Sequence, residues 1–219
     1  MNSRRHAIRA LVLAVFSPIL ALSLSAATAD RTEPLTASGA SAEVKQAVDP
    51  KGYRVTLDGG WTADFWFVRD LPTSDNNKDA AGALYPNLAN GEFVGVVTFT
   101  KGTSDYRGQA IPAGTYTLRY QYLPQDANHM GVSPNPDFLL TVPVASDTSP
   151  ADNVPLKRLV ALSSKTTGTL HPAVLAMAPA ATDGVTKDDQ GMTLFTVEVP
   201  TAAGKSERIA IIVKGQASQ

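Results

Sequence analysis

Alternating apolar and polar residues along most of the chain predict a protein built mainly from β-strands. In Tyr53–Leu57 and in Thr115–Tyr122, every second residue is apolar or aromatic, which is typical of a strand with one face in the core. The same alternation, or a short apolar run, predicts six further strands at residues 61–68, 92–100, 138–144, 172–177, 193–199 and 208–214. The pattern therefore predicts about eight strands.

Two short helices interrupt this pattern. Residues 42–48 have helical spacing and end before the breaker Pro50-Lys51-Gly52. Residues 155–163 place their leucines and one valine at the spacing of an amphipathic helix. Many strands with few helices predict one antiparallel β-sandwich over residues 42–219, either immunoglobulin-like or jelly-roll-like. The pattern does not give the strand order.

Residues 1–29 have the three parts of an export signal. Arg4, Arg5 and Arg9 precede an apolar stretch at residues 10–24, and Ala27-Thr28-Ala29 is a small-residue cleavage site. We therefore expect a cut before Asp30. The apolar stretch is short for a spanning helix, which needs about 20 residues, so an uncleaved N-terminal anchor is the less favoured alternative.

The expected location follows from this signal. The arginine pair is compatible with the twin-arginine route, but Ala7 stands where that route favours a bulky residue, so the general secretory route is the favoured alternative. Either route predicts an exported protein, periplasmic or extracellular. Residues 30–41 are small and polar, and we expect them to form a flexible lead to the domain.

Charge and composition exclude several classes of function. Residues 1–29 contribute three arginines and no acidic residue, so residues 30–219 hold 16 Lys and Arg against 20 Asp and Glu, a net charge of about −4. Without a basic cluster, nucleic acid is not an expected partner. No second apolar stretch reaches spanning length, so no transmembrane segment is expected in the mature chain. The absence of cysteine excludes disulfides, thiolate metal sites and a cysteine nucleophile.

The candidate chemistry is centred on one loop. Asp126, His129 and Asp137 lie between two predicted strands, and His171 comes from a distant segment. Two imidazoles and a carboxylate could hold zinc or another divalent metal as a cofactor. The histidines could also act as an acid–base pair, or each could simply hydrogen-bond the backbone of its own turn. Both the metal-site hypothesis and the acid–base hypothesis require the fold to bring His129 and His171 together.

Three segments carry a resemblance: Gly108–Leu118, the loop with Asp126, His129, Met130 and Gly131, and Thr169–Ala173. They resemble uncharacterised secreted β-domain proteins of soil bacteria, similar to those of Acidobacteria. The resemblance spans most of residues 42–216. It implies the fold and the export of the chain, and it lends no activity and no catalytic residue.

Three functions remain open from the sequence. The first is an exported, non-catalytic β-sandwich that binds a protein partner or a small-molecule ligand through the loops at residues 69–91 and 123–137, with Asp126, His129, Asp137 and His171 as ligand-binding candidates. The second is a metal-dependent or acid–base enzyme using His129 and His171. The third is a structural protein of the envelope.

Overall fold

The computed structural model describes residues 27–73, 82–123, 133–179 and 182–215. Twelve strands and two α-helices form this part of the chain. The strands are β1 (Thr28–Arg31), β2 (Tyr53–Leu57), β3 (Trp61–Phe67), β4 (Phe93–Phe99), β5 (Thr103–Ser104), β6 (Ala110–Ile111), β7 (Gly114–Tyr122), β8 (Asp137–Pro143), β9 (Ala173–Ala176), β10 (Gly184–Lys187), β11 (Thr193–Pro200) and β12 (Ser206–Lys214). The helices are α1 (Ala42–Ala47) and α2 (Leu156–Thr167), and Val144–Ser146 is one 3₁₀ turn.

Seven strands form one large antiparallel sheet in the order β1-β2-β3-β4-β7-β8-β9. Most neighbours in this sheet are also neighbours in the sequence, as expected for strands joined by hairpins and short loops. A smaller antiparallel sheet has the order β10-β11-β12, and β5 pairs with β6 in a separate hairpin. β1 and β9 are therefore the outer strands of the large sheet.

The two larger sheets pack face to face and enclose the main core. Phe195 of β11 inserts among three rings of the large sheet, with centroid distances of 5.6 Å to Tyr53, 5.3 Å to Phe65 and 6.2 Å to Phe67. Val197, Ile209 and Ile211 from the small sheet are buried in the same cluster. This packing of two antiparallel sheets is a β-sandwich, as the sequence predicts.

The opposite face of the large sheet is also covered. Helix α2 packs on β8 through Leu159, which is buried with Phe138, Leu140 and Val174. The segment from the 3₁₀ turn to α2 covers the neighbouring part of β7. A sheet buried on both faces explains why Trp61–Phe67 and β4 carry apolar residues on both sides.

The eight predicted strands are all present, and four short strands were missed: β1, β5, β6 and β10. The first lies at the end of the predicted export signal and runs into the predicted flexible lead. Within that lead Leu35 and Ala40 are buried, and the Trp66 indole N–H donates to Glu33 O at 2.9 Å. These contacts hold the segment against the sheet. No helix in the described ranges is long and apolar enough to cross a membrane.

Candidate functional site

The predicted histidine site is only partly visible in the structure. Asp126 and His129 lie outside the described residues. His171 lies in the exposed turn between α2 and β9, where its N–H donates to Thr169 Oγ1 at 3.0 Å and its carbonyl accepts from Thr167 Oγ1 at 2.8 Å. The backbone of His171 is therefore part of a turn. A meeting of His129 with His171 remains a prediction.

Asp137 lies in the core at the start of β8. Its carboxylate accepts hydrogen bonds from the backbone N–H groups of Leu84 and Tyr85, at 2.8 and 3.1 Å, and from Tyr120 Oη at 2.6 Å. A fully buried carboxylate needs such donors to offset the loss of water. The Asp137 side chain therefore holds residues 84–85 against the large sheet.

The structure does not bring Asp137 and His171 together. Met177 N–H donates to Asp137 O, whereas His171 precedes Ala173 at the other end of β9. Ala173 and Met177 are four residues apart along one extended segment, or about 13 Å at roughly 3.3 Å per residue. Among the described residues, no group of three His, Asp or Glu side chains is placed to hold a metal ion.

One cavity lies where the two sheets meet and then separate. β9 and β12 approach at one isolated bridge between Met177 and Ile211, next to the hydrogen bond from Ala178 N–H to Ala210 O. Beyond the bridge a cavity of about 360 Å³ opens. We call it the β9–β12 cleft, and it is lined by residues 103–106, 174–176 and 212–215.

Tyr85 closes the sandwich beside this bridge. Its hydroxyl donates to Ala178 O at 3.0 Å and accepts from Ala210 N–H at 2.9 Å, so one side chain joins the two sheets. Burial raises the pKa of the Tyr85 hydroxyl well above its ordinary value. The neutral hydroxyl is the form that can both donate and accept here. The inner end of the cleft is thus fixed by a buried polar contact.

The β5–β6 hairpin forms the outer wall of the cleft and is held in place by Asp105. The buried Asp105 carboxylate accepts from the backbone N–H groups of Arg107 and Gln109, at 3.0 and 2.8 Å, and from both side chains at 3.2 Å. Arg107 and Gln109 also donate to Pro172 O at 2.9 Å each. These bonds tie the hairpin to the start of β9, so the wall has a fixed position.

The interior of the cleft is apolar, and polar groups lie around it. Val174, Ala176 and Ile212 are buried, and Tyr106 packs on the cluster that contains the last two. Within the described part of the chain, neither the Tyr106 hydroxyl nor the exposed Lys214 ammonium has a hydrogen-bond or ion-pair partner. An apolar cavity with a few polar groups around it is the usual form of a small-ligand site.

Sequence reasoning did not find this cleft. Its three walls come from segments that are about 40 to 110 positions apart, and none contains a catalytic or metal-binding motif. The one weak signal in the sequence was the connection Asp105-Tyr106-Arg107-Gly108-Gln109. An aspartate at the start of such a turn can accept hydrogen bonds from the backbone N–H groups that follow it.

A second, more open cavity of about 320 Å³ lies by the N-terminal end of β4 and includes Arg69, Asp70 and Glu92. Burial raises the pKa of Glu92, while a backbone hydrogen bond and the Arg119 charge act against this rise. Arg69 Nε donates to Gln46 O at 3.0 Å and so is already engaged. This cavity is thus more open than the cleft and is lined by side chains of both charges.

The fold and the cleft together define a class: an antiparallel β-sandwich with a ligand-sized cavity between the outer strands of its two sheets. No family model, curated protein or solved structure matches the chain. The residues of the cleft must therefore carry the functional interpretation.

Proposed function

We propose that this chain is an exported, non-catalytic β-sandwich protein that binds a ligand or a partner segment in the β9–β12 cleft. The observation that carries the proposal is the apolar cavity of about 360 Å³ with Tyr106 and Lys214 beside it. Its volume is at the lower end of the range for small-molecule sites. The three-part signal in residues 1–29 supports the export of the protein.

The chemistry of the cleft favours binding over catalysis. The ionisable side chains that line it are Asp105, Tyr106 and Lys214. The Asp105 carboxylate already accepts hydrogen bonds from four N–H donors of its own hairpin, so its oxygens are engaged in structural contacts. Tyr106 supplies a hydrogen-bond donor in the segment 103–106 of the cleft lining, and Lys214 supplies one in the segment 212–215.

These groups also indicate the kind of ligand. An apolar body fits among Val174, Ala176 and Ile212, and an anionic group fits the Lys214 ammonium. A carboxylate is the simplest such group, because a charge-assisted N–H···O bond is stronger than a neutral one. The ligand class is therefore an apolar molecule or peptide end that carries a carboxylate.

Ligand-observed NMR with a library of apolar carboxylate fragments tests the proposal. Thr103→Trp places a large ring at a half-exposed wall of the cleft and should abolish fragment binding. Thr186→Trp makes the same change at a half-exposed position of β10 outside the cleft and should leave binding intact.

Lys214→Gln should lower the affinity for carboxylate fragments by about tenfold, as expected for the loss of one charge-assisted bond. The affinity for neutral fragments should not change. If no fragment binds to the unchanged protein, or if Thr103→Trp binds fragments as well as Thr186→Trp does, the cleft is not the binding site.

A further inference from the structure

The predicted cut between Ala29 and Asp30 falls inside a strand of the folded chain. β1 is the outermost strand of the large sheet and pairs antiparallel with β2, with Thr28 opposite Thr56, Ala29 opposite Val55 and Asp30 opposite Arg54. Cleavage therefore removes the first half of β1 and leaves only Asp30 and Arg31 of this strand.

The hydrogen-bond pattern shows which part of β2 loses its partner. Thr32 N–H donates to Gly52 O at 2.9 Å. In an antiparallel ladder, hydrogen-bonded pairs alternate with pairs whose backbone groups point away from each other. Asp30 and Arg54 therefore form a hydrogen-bonded pair, and so do Thr28 and Thr56. After the cut, Thr56 N–H and C=O have no strand beside them.

The side chains upstream of the cut also fill space in the sandwich. Ala27 and Ala29 pack against the main core, whereas Thr28 is exposed. The spacing of the two small residues at the cleavage site is therefore also the period of a strand, which places both on its inner face. Their removal uncovers Val55, which is fully buried in the uncut chain.

Ala27 is in addition a wall of a cavity of about 200 Å³. The opposite walls include Leu57, Lys187 and Lys214, and Lys214 also lines the β9–β12 cleft. Loss of Ala27 opens this cavity on the side of β2. The processed protein therefore presents an open strand edge next to this recess.

We propose that cleavage between Ala29 and Asp30 converts a self-occupied edge of the large sheet into an acceptor for an extended strand of a partner protein. The cut is a hydrolysis: water adds across the amide, leaving a carboxylate on Ala29 and an ammonium on Asp30. The proposal rests on the export part of the proposed function and is independent of ligand binding in the cleft.

The uncut chain itself shows what the partner strand must look like. It runs antiparallel to β2, exchanges both backbone hydrogen bonds with Thr56, and carries small side chains at the two alternate positions that Ala27 and Ala29 occupy. Strand addition of this kind uses the main chain for affinity and alternate side chains for selectivity. An unpaired edge with an apolar face is otherwise a site of unwanted association.

The first test is the N-terminus of the exported protein, measured by intact-mass spectrometry. The unchanged protein should begin at Asp30. Ala29→Val keeps a residue that favours strands but removes the small residue that the cleavage site requires, so it should retain the upstream segment. The matched control Thr28→Val changes the variable middle position and should still begin at Asp30. A different N-terminus in the unchanged protein would overturn the proposal.

The second test is hydrogen exchange at the Thr56 amide. Exchange should be about tenfold faster or more in the processed protein than in uncut Ala29→Val, because an unpaired edge amide is exposed to solvent. A synthetic peptide with the sequence of residues 23–29 should slow exchange again in the processed protein. The same peptide with tryptophan in place of its last two alanines should not.

Equal exchange in the two proteins, or no protection by the unchanged peptide, would show that β2 is not an acceptor. Neither result depends on fragment binding in the cleft, so this failure is distinguishable from a failure of the proposed ligand site.

Discussion

Arg119 and Asp147 form a two-point ion pair in the interior of the protein. Arg119 Nε lies 2.8 Å from Asp147 Oδ2, and Nη2 lies 2.8 Å from Oδ1. The remaining guanidinium N–H groups donate to the carbonyls of Gly91, Ser149 and Asp152. Every donor of a fully buried arginine is therefore satisfied, and the segment before α2 is fastened to β7.

We predict that Asp147→Asn destabilises the protein by about 3–5 kcal/mol, because it leaves the buried guanidinium charge uncompensated. Urea unfolding monitored by tryptophan fluorescence measures this change. Lys187→Gln is the control: it breaks the ion pair with Asp58, in which both side chains are exposed, and should cost about 0–1 kcal/mol. Equal costs for the two variants would contradict the prediction.

Gly91 belongs to the same buried cluster, and its backbone has φ +86°. A Cβ at this position would lie 2.3 Å from Val154 O. Gly91→Ala therefore meets both a backbone penalty and a clash, and we expect a loss of about 3 kcal/mol or more in unfolding free energy.

Gly168→Ala separates the two effects. Gly168 ends α2 with φ +66° and has open space where a Cβ would stand. This variant should lose only about 1 kcal/mol of unfolding free energy, because it meets the backbone penalty without the clash. If Gly91→Ala and Gly168→Ala lose the same stability in denaturant unfolding, the contact with Val154 is unimportant.

The predictable part of this fold is the part that local alternation encodes. In β7 the pattern correctly separates the tyrosine row from the row of Thr117, Arg119 and Gln121. It does not show that the polar row is buried as well. That burial depends on residues 144–154, which reach β7 through Arg119 and have no alternation of their own. A buried ion pair between positions 28 residues apart leaves no local signal.

The candidate site shows the same limit. The sequence drew attention to His129 and His171 because histidines are rare in this chain. The β9–β12 cleft instead depends on a long-range event, the divergence of β9 and β12 after one bridge. β1 was missed for a related reason: Thr28–Arg31 is too short and too polar for a strand pattern, and its pairing with β2 supplies the structure.

Alkaline pH should destabilise the protein through two buried tyrosines. Burial raises the pKa of both Tyr85 and Tyr120 far above the ordinary value, and for Tyr120 the hydrogen bond to Asp137 adds to this rise. A raised folded-state pKa gives stability that is complete below the unfolded pKa of about 10 and is lost as the pH rises above it. Each tyrosine can contribute a slope of about 1.4 kcal/mol per pH unit.

Tyr120→Phe tests this account. Above about pH 10 the unfolding free energy falls as the pH rises, and the variant should make this slope shallower by about 1.4 kcal/mol per pH unit, the contribution of one proton. At neutral pH it should cost about 1.5–3 kcal/mol, the usual value for a hydrogen bond to a charged group. Urea unfolding at a series of pH values measures both quantities. A variant with the slope of the unchanged protein would show that Tyr120 does not resist ionisation.

Glu92 gives the same kind of experiment at acidic pH, because burial disfavours its carboxylate as well. Burial raises its pKa, so the stability linked to this group is complete below the unfolded pKa of about 4.3 and declines as the pH rises through the folded value. Glu92→Gln replaces the charge with a neutral group of the same size. We therefore expect the variant to gain stability relative to the unchanged protein between about pH 4 and pH 7. Urea unfolding of both proteins at the two pH values measures the difference. If the unfolding free energy of the variant falls relative to that of the unchanged protein between pH 4 and pH 7, attraction to Arg119 outweighs the burial of the carboxylate.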